Sequence, residues 1–317
     1  MRGLFIINPS SGRQNFRDKI KEIAGTLIVD QICSTIDIFY TEKKDDARNK
    51  AASLKSEEYD FVVAVGGDGT LNEVVSGIVE GNSHIPLAVI SAGTVNDFAT
   101  YLKLPQEPAD FCEMIRTFRL KKVDVGKVNE RYFINVVAAG MFSDVGFKVP
   151  KDKKASMGKF AYYLEGAADL PKQLTSAFKM RFTVNGKAME EEVLLFMVAN
   201  SRSVGGFREI APLASTSDGI LDLIIIKKMD IFQVAPLLLG ILNGDHVNHP
   251  AVEYLQADHL LIENLSGEKL NIDYDGEQLM SGFPLEIRMI AGGINILVSP
   301  VKEEEKPIIN WLLPISQ

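Results

Sequence analysis

Cysteine is almost missing from this chain. Its two copies, Cys33 and Cys112, cannot build a disulfide framework, and no Cys/His spacing suggests a zinc site. Long apolar runs are missing too. The longest, "IFQVAPLLLGIL" over residues 231–242, is interrupted by Gln233, Pro236 and Gly240 and is too short to span a bilayer. The "LFII" run near the start is broken at once by Asn8-Pro9, so it reads as a first strand and not as a signal peptide. Positive charge is in deficit. The net charge of −8 gives a general nucleic-acid role no electrostatic support. What remains is an ordinary folded composition, and 317 residues are more than one core usually serves, so two domains and a cytoplasmic protein are expected.

The first third alternates between two periods. "GLFIINP", "STIDIFYT", "DFVVAVGG" and "PLAVISAGT" read as strands. "RQNFRDKIKEIAGTL", "KKDDARNKAASLKSEEY" and "TLNEVVSGIVEG" read as helices between them. Strand and helix in turn imply right-handed crossovers and a parallel sheet. From about residue 122 the rhythm changes to short strands with hairpin signals, among them "GKVNER" and "VNGKA". The expected architecture is an α/β parallel-sheet domain over residues 1–125, then an antiparallel β domain over 126–300. Helical insertions are expected near 155–170 and 229–242, and an apolar-ended tail, 301–317, is expected to dock back on the body.

The sharpest local feature is "AVGGDGTLNEV", residues 64–74. Gly66, Gly67 and Gly69 stand at a strand's C-terminal end before a helix expected to start near Leu71, the place where open parallel sheets bind ligands. Small residues there let backbone N–H groups face an anion, with the positive end of the helix behind them. The pattern is neither a Walker A loop nor G-x-G-x-x-G, since Asn72 stands where the third glycine belongs. Asp68 would repel a phosphate unless a cation stands between them, and Mg²⁺ bridging phosphate oxygens is the simplest one. Two further loops, "NPSSG" at 8–12 and "SAGTVNDFA" at 91–99, fall at strand ends on the same sheet edge. The plain alternative is a Gly-Asp-Gly turn that only links strand to helix, but three such loops on one edge point to a phosphate cradle more than to three idle turns.

Taken together, "GGDGTLNEV", "NPSSG", "GTVNDFA", "SDGILDL", "GDHVNHPAVEY" and "IDYDGE" resemble the bacterial soluble diacylglycerol kinase family of lipid kinases, in order and spacing over almost the whole chain. The glycine–aspartate loop alone is shared with NAD kinases and phosphofructokinases, so the specificity lies in the set of six. The resemblance implies an ATP- and Mg²⁺-dependent kinase, with nucleotide in the cleft between the α/β domain and a C-terminal β-sandwich. By position it implies nucleotide contacts at Asn8, Ser10, Gly12, Thr41, Gly66, Gly67, Asp68, Gly69, Thr70, Thr94 and Asn96. Asp68 matches the carboxylate near phosphate and metal, and Glu277 the general base on the lipid hydroxyl. Asp218, with the backbone carbonyls of Ser215 and Ile220, matches a second, structural Mg²⁺ site. The chain departs from the common family pattern at Ser91, where proline is usual, and at Thr100, where arginine is usual.

The implied reaction is phosphorylation of a lipid hydroxyl, most simply that of diacylglycerol, giving phosphatidic acid. The alternatives are an NAD kinase, which shares the first loop, and a catalytically inactive lipid-binding relative, which would be expected to have lost Asp68 or Glu277. A lipid substrate implies transient, peripheral contact with the inner face of a membrane, and a homodimer is left open. Lys148, Lys151, Lys153, Lys154 and Lys159 beside Phe147, Met157 and Phe160 form one candidate contact segment; a solvated surface is the plainer reading. His246 and His249 read as loop hydrogen-bonders, and Asp124 as a cap or strand-end residue that could join a polar network near Asp97.

Overall fold

The computed structural model describes residues 1–11, 15–93, 96–140, 177–205, 207 and 209–300. Gly12, Thr94, the lysine-rich segment, the insertion expected near 155–170 and the tail 301–317 lie outside these residues.

Four parallel strands open the fold: β1 (Arg2–Ile7), β2 (Thr35–Tyr40), β3 (Phe61–Gly66) and β4 (Leu87–Ser91). They lie in the order β2-β1-β3-β4. Successive side chains point to opposite faces, and both faces are covered. Leu4, Ile6, Val62 and Ala64 pack with Ala47 and Ala51 of α2 (Asp46–Ala52) and with Leu71, Val74 and Val75 of α3 (Asp68–Gly81). Phe5, Ile7, Val63 and Val65 pack on the other face with Ile23 and Leu27 of α1 (Asn15–Val29). That double burial is why β3 could afford no polar residue. Two short helices follow, α4 (Asp97–Tyr101) and α5 (Pro108–Thr117). Helix α2 is shorter than its polar, alanine-containing sequence implied. It ends at Ser53, whose hydroxyl donates to the carbonyl of Lys50 at 2.8 Å, a local bond that competes with continuing the helix.

The second half is antiparallel. Strands β5 (Leu120–Val128) and β6 (Arg131–Phe133) form a hairpin through Asn129, which takes a left-handed φ of 49°. Strands β8 (Phe178–Val184) and β9 (Lys187–Ala199) turn at Asn185-Gly186, with φ of 50° and 76°, as the Asn-Gly signal required. Around them lie β7 (Val136–Gly140), β10 (Leu221–Lys227), β11 (Val252–Ala257), β12 (His259–Asn264), β13 (Ile272–Tyr274), β14 (Glu277–Gln278) and β15 (Leu285–Leu297). Helix α6 (Ile231–Asn243) begins with a capping box between Asp230 and Gln233.

Strand β15 ties the halves together. It pairs antiparallel with β5 and, at Ile296, parallel with Leu87 of β4, so the hydrogen-bonded sheet is continuous from one half to the other. Val123, Val125, Ile294 and Ile296 therefore sit in the same core as the first parallel strands. This brings β6 against α3 and sets the β13–β14 turn at the start of that helix.

Candidate active site

The glycine loop is tighter than its composition suggested. Helix α3 starts at Asp68, about one turn before Leu71, with Gly67 in extended backbone as its N-cap. None of Gly66, Gly67 and Gly69 has a positive φ. Close packing is the reason for two of them. A Cβ on Gly66 would stand 2.5 Å from the Thr70 hydroxyl, and one on Gly67 would stand 3.3 Å from the Cα of Gly93. The loop after β1 closes on the same place. The Asn8 amide donates to Thr70 Oγ1 at 3.1 Å and its oxygen accepts from the Ser10 N–H at 3.0 Å. Thr41 is buried at the end of β2, its N–H bonded to the Ile7 carbonyl at 2.9 Å. Asn96 folds its own loop: its side chain accepts from the Gly93 N–H at 3.0 Å and donates to the Gly93 carbonyl at 2.8 Å.

Asp68 lines a narrow recess with Gly66, Gly67, Ser91 and Asn96. Its Oδ2 accepts the Asn96 backbone N–H at 3.0 Å. Burial, and then the charges of Asp97 and Asp275, push its pKa up to about 6. A carboxylate crowded by carboxylates gains from a cation. Among the described residues no three His, Cys, Asp or Glu side chains converge on one point. A magnesium ion at Asp68 would thus be completed by phosphate and water oxygens, its usual manner in phosphoryl-transfer sites.

The β13–β14 turn lies across the cleft. Asp275 and Gly276 have φ of 49° and 86°, a two-residue hairpin turn. The turn is also tied to the elements around it. The Asp275 carboxylate accepts the N–H groups of Ile134, Asn135 and Val136 at 2.6, 2.9 and 2.9 Å, and the Asn72 amide at 2.9 Å. Asn72 belongs to α3, one turn after Asp68, and donates also to the Tyr132 carbonyl at 3.0 Å. The turn that carries Glu277 is thereby tied to α3. Its Oε2 accepts from Lys44 Nζ at 2.7 Å and from the Tyr274 hydroxyl at 3.3 Å. It lines a polar recess with Lys44, Arg48, Asn72, Arg131 and Tyr132.

The loop holding Ser215, Asp218 and Ile220 packs against β5 at Asp124. Asp218 is exposed and its Oδ1 accepts the Ile220 N–H at 3.1 Å. The loop is anchored from within β5 by buried Asp124, which accepts from the Gly219 and Gly292 N–H groups at 2.7 and 2.6 Å and donates its own N–H to the Thr216 carbonyl at 2.8 Å. The Thr216 hydroxyl is buried with no partner among the described residues. Buried His246 bonds the carbonyl of Ile210, in a separate loop 36 residues earlier, through Nε2 at 2.8 Å, and His249 Nδ1 accepts the Ala251 N–H at 3.2 Å within its own loop.

Known proteins resemble this chain in sequence and in fold. Residues 2–128 match the family described as diacylglycerol kinase catalytic domain, and residues 135–298 match the YegS C-terminal NAD kinase beta sandwich-like domain. The chain belongs to the diacylglycerol kinase family. A diacylglycerol kinase of Staphylococcus aureus (strain MRSA252) is 36% identical over 284 residues, 89% of each chain. One from Staphylococcus saprophyticus is 34% identical over 272 residues, 86% of this chain and 88% of its own. A solved diacylglycerol kinase structure from Bacillus anthracis str. Sterne superposes with a TM-score of 0.76 at 27% identity, covering 94% of this chain and 97% of its own. Another structure from that organism gives a TM-score of 0.78 at 26% identity, over 94% and 95%. As a lipid kinase of this family the protein is a transferase, and the parallel-then-antiparallel order read from its strands is the family's fold.

Three participants in the site escaped sequence reading. Asn72 reads only as a missing glycine, Asp275 only as part of the "IDYDGE" motif, and Lys44 as one charge in a polar helix. The left-handed turn at Asp275-Gly276 was a usable signal, because an aspartate there can reach backbone N–H groups nearby. Nothing local signals Asn72 or Lys44.

Proposed function

We propose that this lipid kinase transfers the γ-phosphoryl group of ATP, as its magnesium complex, to the hydroxyl of diacylglycerol, giving ADP and phosphatidic acid in phospholipid metabolism. The observation that supports the reading is the meeting of the two halves at α3: Asp68 opens that helix, and Asn72, one turn on, holds the Asp275 turn that carries Glu277. Asn8, Ser10, Thr41 and the segment from Gly66 to Thr70 form the wall that the nucleotide would contact. Asp68 would hold the magnesium, which spreads the charge that develops on the phosphates. Glu277 takes the proton from the acceptor hydroxyl as its oxygen bonds to phosphorus and the bond to the ADP oxygen breaks. A second magnesium at Asp218, with the carbonyls of Ser215 and Ile220, would serve stability.

The acceptor lies in a membrane, so the protein must meet one. No helix among the described residues is long and apolar enough to cross it. Helix α6 favours peripheral contact. It carries no charged residue over Ile231–Asn243 and exposes Ile231, Phe232 and Leu239, with Phe232 88% exposed.

Labelled ATP offered with a panel of lipid hydroxyls and with NAD tests the reading. Labelled phosphatidic acid is the expected product, and Glu277→Gln should remove it while nucleotide binding persists. Label in NAD and in no lipid would sink the proposal in favour of an NAD kinase.

A further inference from the structure

Lys44 reaches Glu277 from the other half of the molecule, and the turn that carries it is unusually well tied. Asp46 Oδ2 accepts the N–H groups of Glu42 and Lys43, each at 2.9 Å. Glu73 of α3 accepts the N–H groups of Asp45 and Ala47 at 3.1 and 3.2 Å. Asp45 itself is held at φ 67°, ψ 0°, a left-handed backbone that a non-glycine residue adopts only when its surroundings impose it. Arg48, next along, is clamped to Glu80 through two guanidinium nitrogens. Two carboxylates and a strained residue thus fix one short turn, from which Lys44 extends.

Stability does not explain the pair. The Lys44 side chain is 65% exposed, and an ion pair so placed contributes little. Its geometry does something else. Lys44 and Tyr274 converge on the same oxygen of Glu277, Oε2. Among the described residues Oε1 has no hydrogen bond, so one oxygen is held and the other is not, on a side chain that lines the recess. The Lys44 turn also begins at Thr41, bonded to Ile7 beside Asn8, so it continues directly from the loops assigned to the nucleotide.

We infer that Lys44 is a positioning residue for phosphoryl transfer, holding Glu277 Oε2 across the cleft so that Oε1 meets the acceptor hydroxyl. The inference rests on Glu277 being the base, as proposed above. It makes the nucleotide half of the molecule responsible for aiming a base that belongs to the other half. A carboxylate released from this hold would sample other rotamers, and misplacement of a reacting group by about 1 Å can cost on the order of a hundredfold in rate.

The test compares the parent with Lys44→Met and Lys44→Arg, using labelled ATP and diacylglycerol dispersed in detergent. Lys44→Met should lower kcat between about tenfold and a hundredfold. KM for ATP and the melting temperature should stay at the parent's values. Lys44→Arg, which can still donate to Oε2, should recover most of kcat. A parent that labels no lipid overturns the lipid-kinase reading and this inference with it. A parent that labels lipid, with Lys44→Met matching its kcat or losing only ATP affinity, overturns the inference alone. Failure of Lys44→Arg to outperform Lys44→Met would do the same, because the role assigned is donation of a charged hydrogen bond.

Discussion

Asp68 and Asp275 are the same residue type at the same cleft, and the chain serves them in opposite ways. Asp275 sits in a hairpin turn and receives three backbone N–H groups and one side-chain amide, all within 2.9 Å. Asp68 sits in the first turn of a helix, receives the Asn96 N–H, and faces two other carboxylates. Burial pushes both pKa values up. At Asp275 four donors answer that burial from within the protein. At Asp68 fewer donors answer it, and the magnesium proposed above would supply the rest. A satisfied carboxylate is what an architectural joint requires, and an under-served one is what the proposed metal site requires. Side by side, they distinguish the two roles better than the sequence motif around either.

The largest expected effect sharpens the ligand side of this contrast. Asp68→Asn should leave a folded protein whose kinase rate falls by about 10³-fold or more, the loss of several kcal/mol of transition-state stabilisation. A near-normal rate in steady-state assays of the purified variant would remove Asp68 from the mechanism. The architectural side should fail differently. Asp275→Ala orphans four donors at a joint between α3 and two turns, and should cost about 3–5 kcal/mol in denaturant unfolding. If Asp275→Ala unfolds at the parent's midpoint, the joint is not one.

Proton linkage separates the two more finely. A carboxyl whose folded pKa lies near 6, against about 4 unfolded, has its stability at low pH and loses it as pH rises through that window. Removing the charge with Asp68→Asn should therefore raise stability above pH 6, by roughly 3 kcal/mol at most, and leave it unchanged below pH 4. Melting temperatures across pH 4–8 check the sign; a variant less stable at pH 8 would show that the ionised carboxylate is already well served. The smallest effect concerns the distant loop. Excess Mg²⁺ should raise the melting temperature of the parent more than that of Asp218→Ala, since a site lost from the folded state loses its linkage. Equal shifts would argue against a metal beside Ser215 and Ile220.

Much of this was legible in the chain. Buried strands such as "FVVAVGG" show their state in composition, because a parallel strand covered on both faces excludes polar residues. Asn185-Gly186 announces its hairpin, because few other residue pairs accept two left-handed conformations in succession. Asp68 stands out because a charge among glycines at the C-terminal end of a parallel strand demands a reason. Even here the backbone differed in detail: the glycines permit close packing against Thr70 and Gly93, and the helix begins at Asp68 itself. Those facts depend on neighbours that the loop's own residues do not specify.

What the sequence alone determined is the succession of elements, the turn types and the family motifs, all set by residues within a few positions of one another. Tertiary structure decided which of them meet. Asn72 finds Asp275 across 203 residues and Lys44 finds Glu277 across 233. These contacts exist because β15 returns to pair with both β4 and β5, and that register fixes where the second half lies against α3. Periodicity and turn chemistry are local quantities. A hydrogen bond between side chains more than 200 residues apart depends on every strand offset between them, and no local pattern carries that sum.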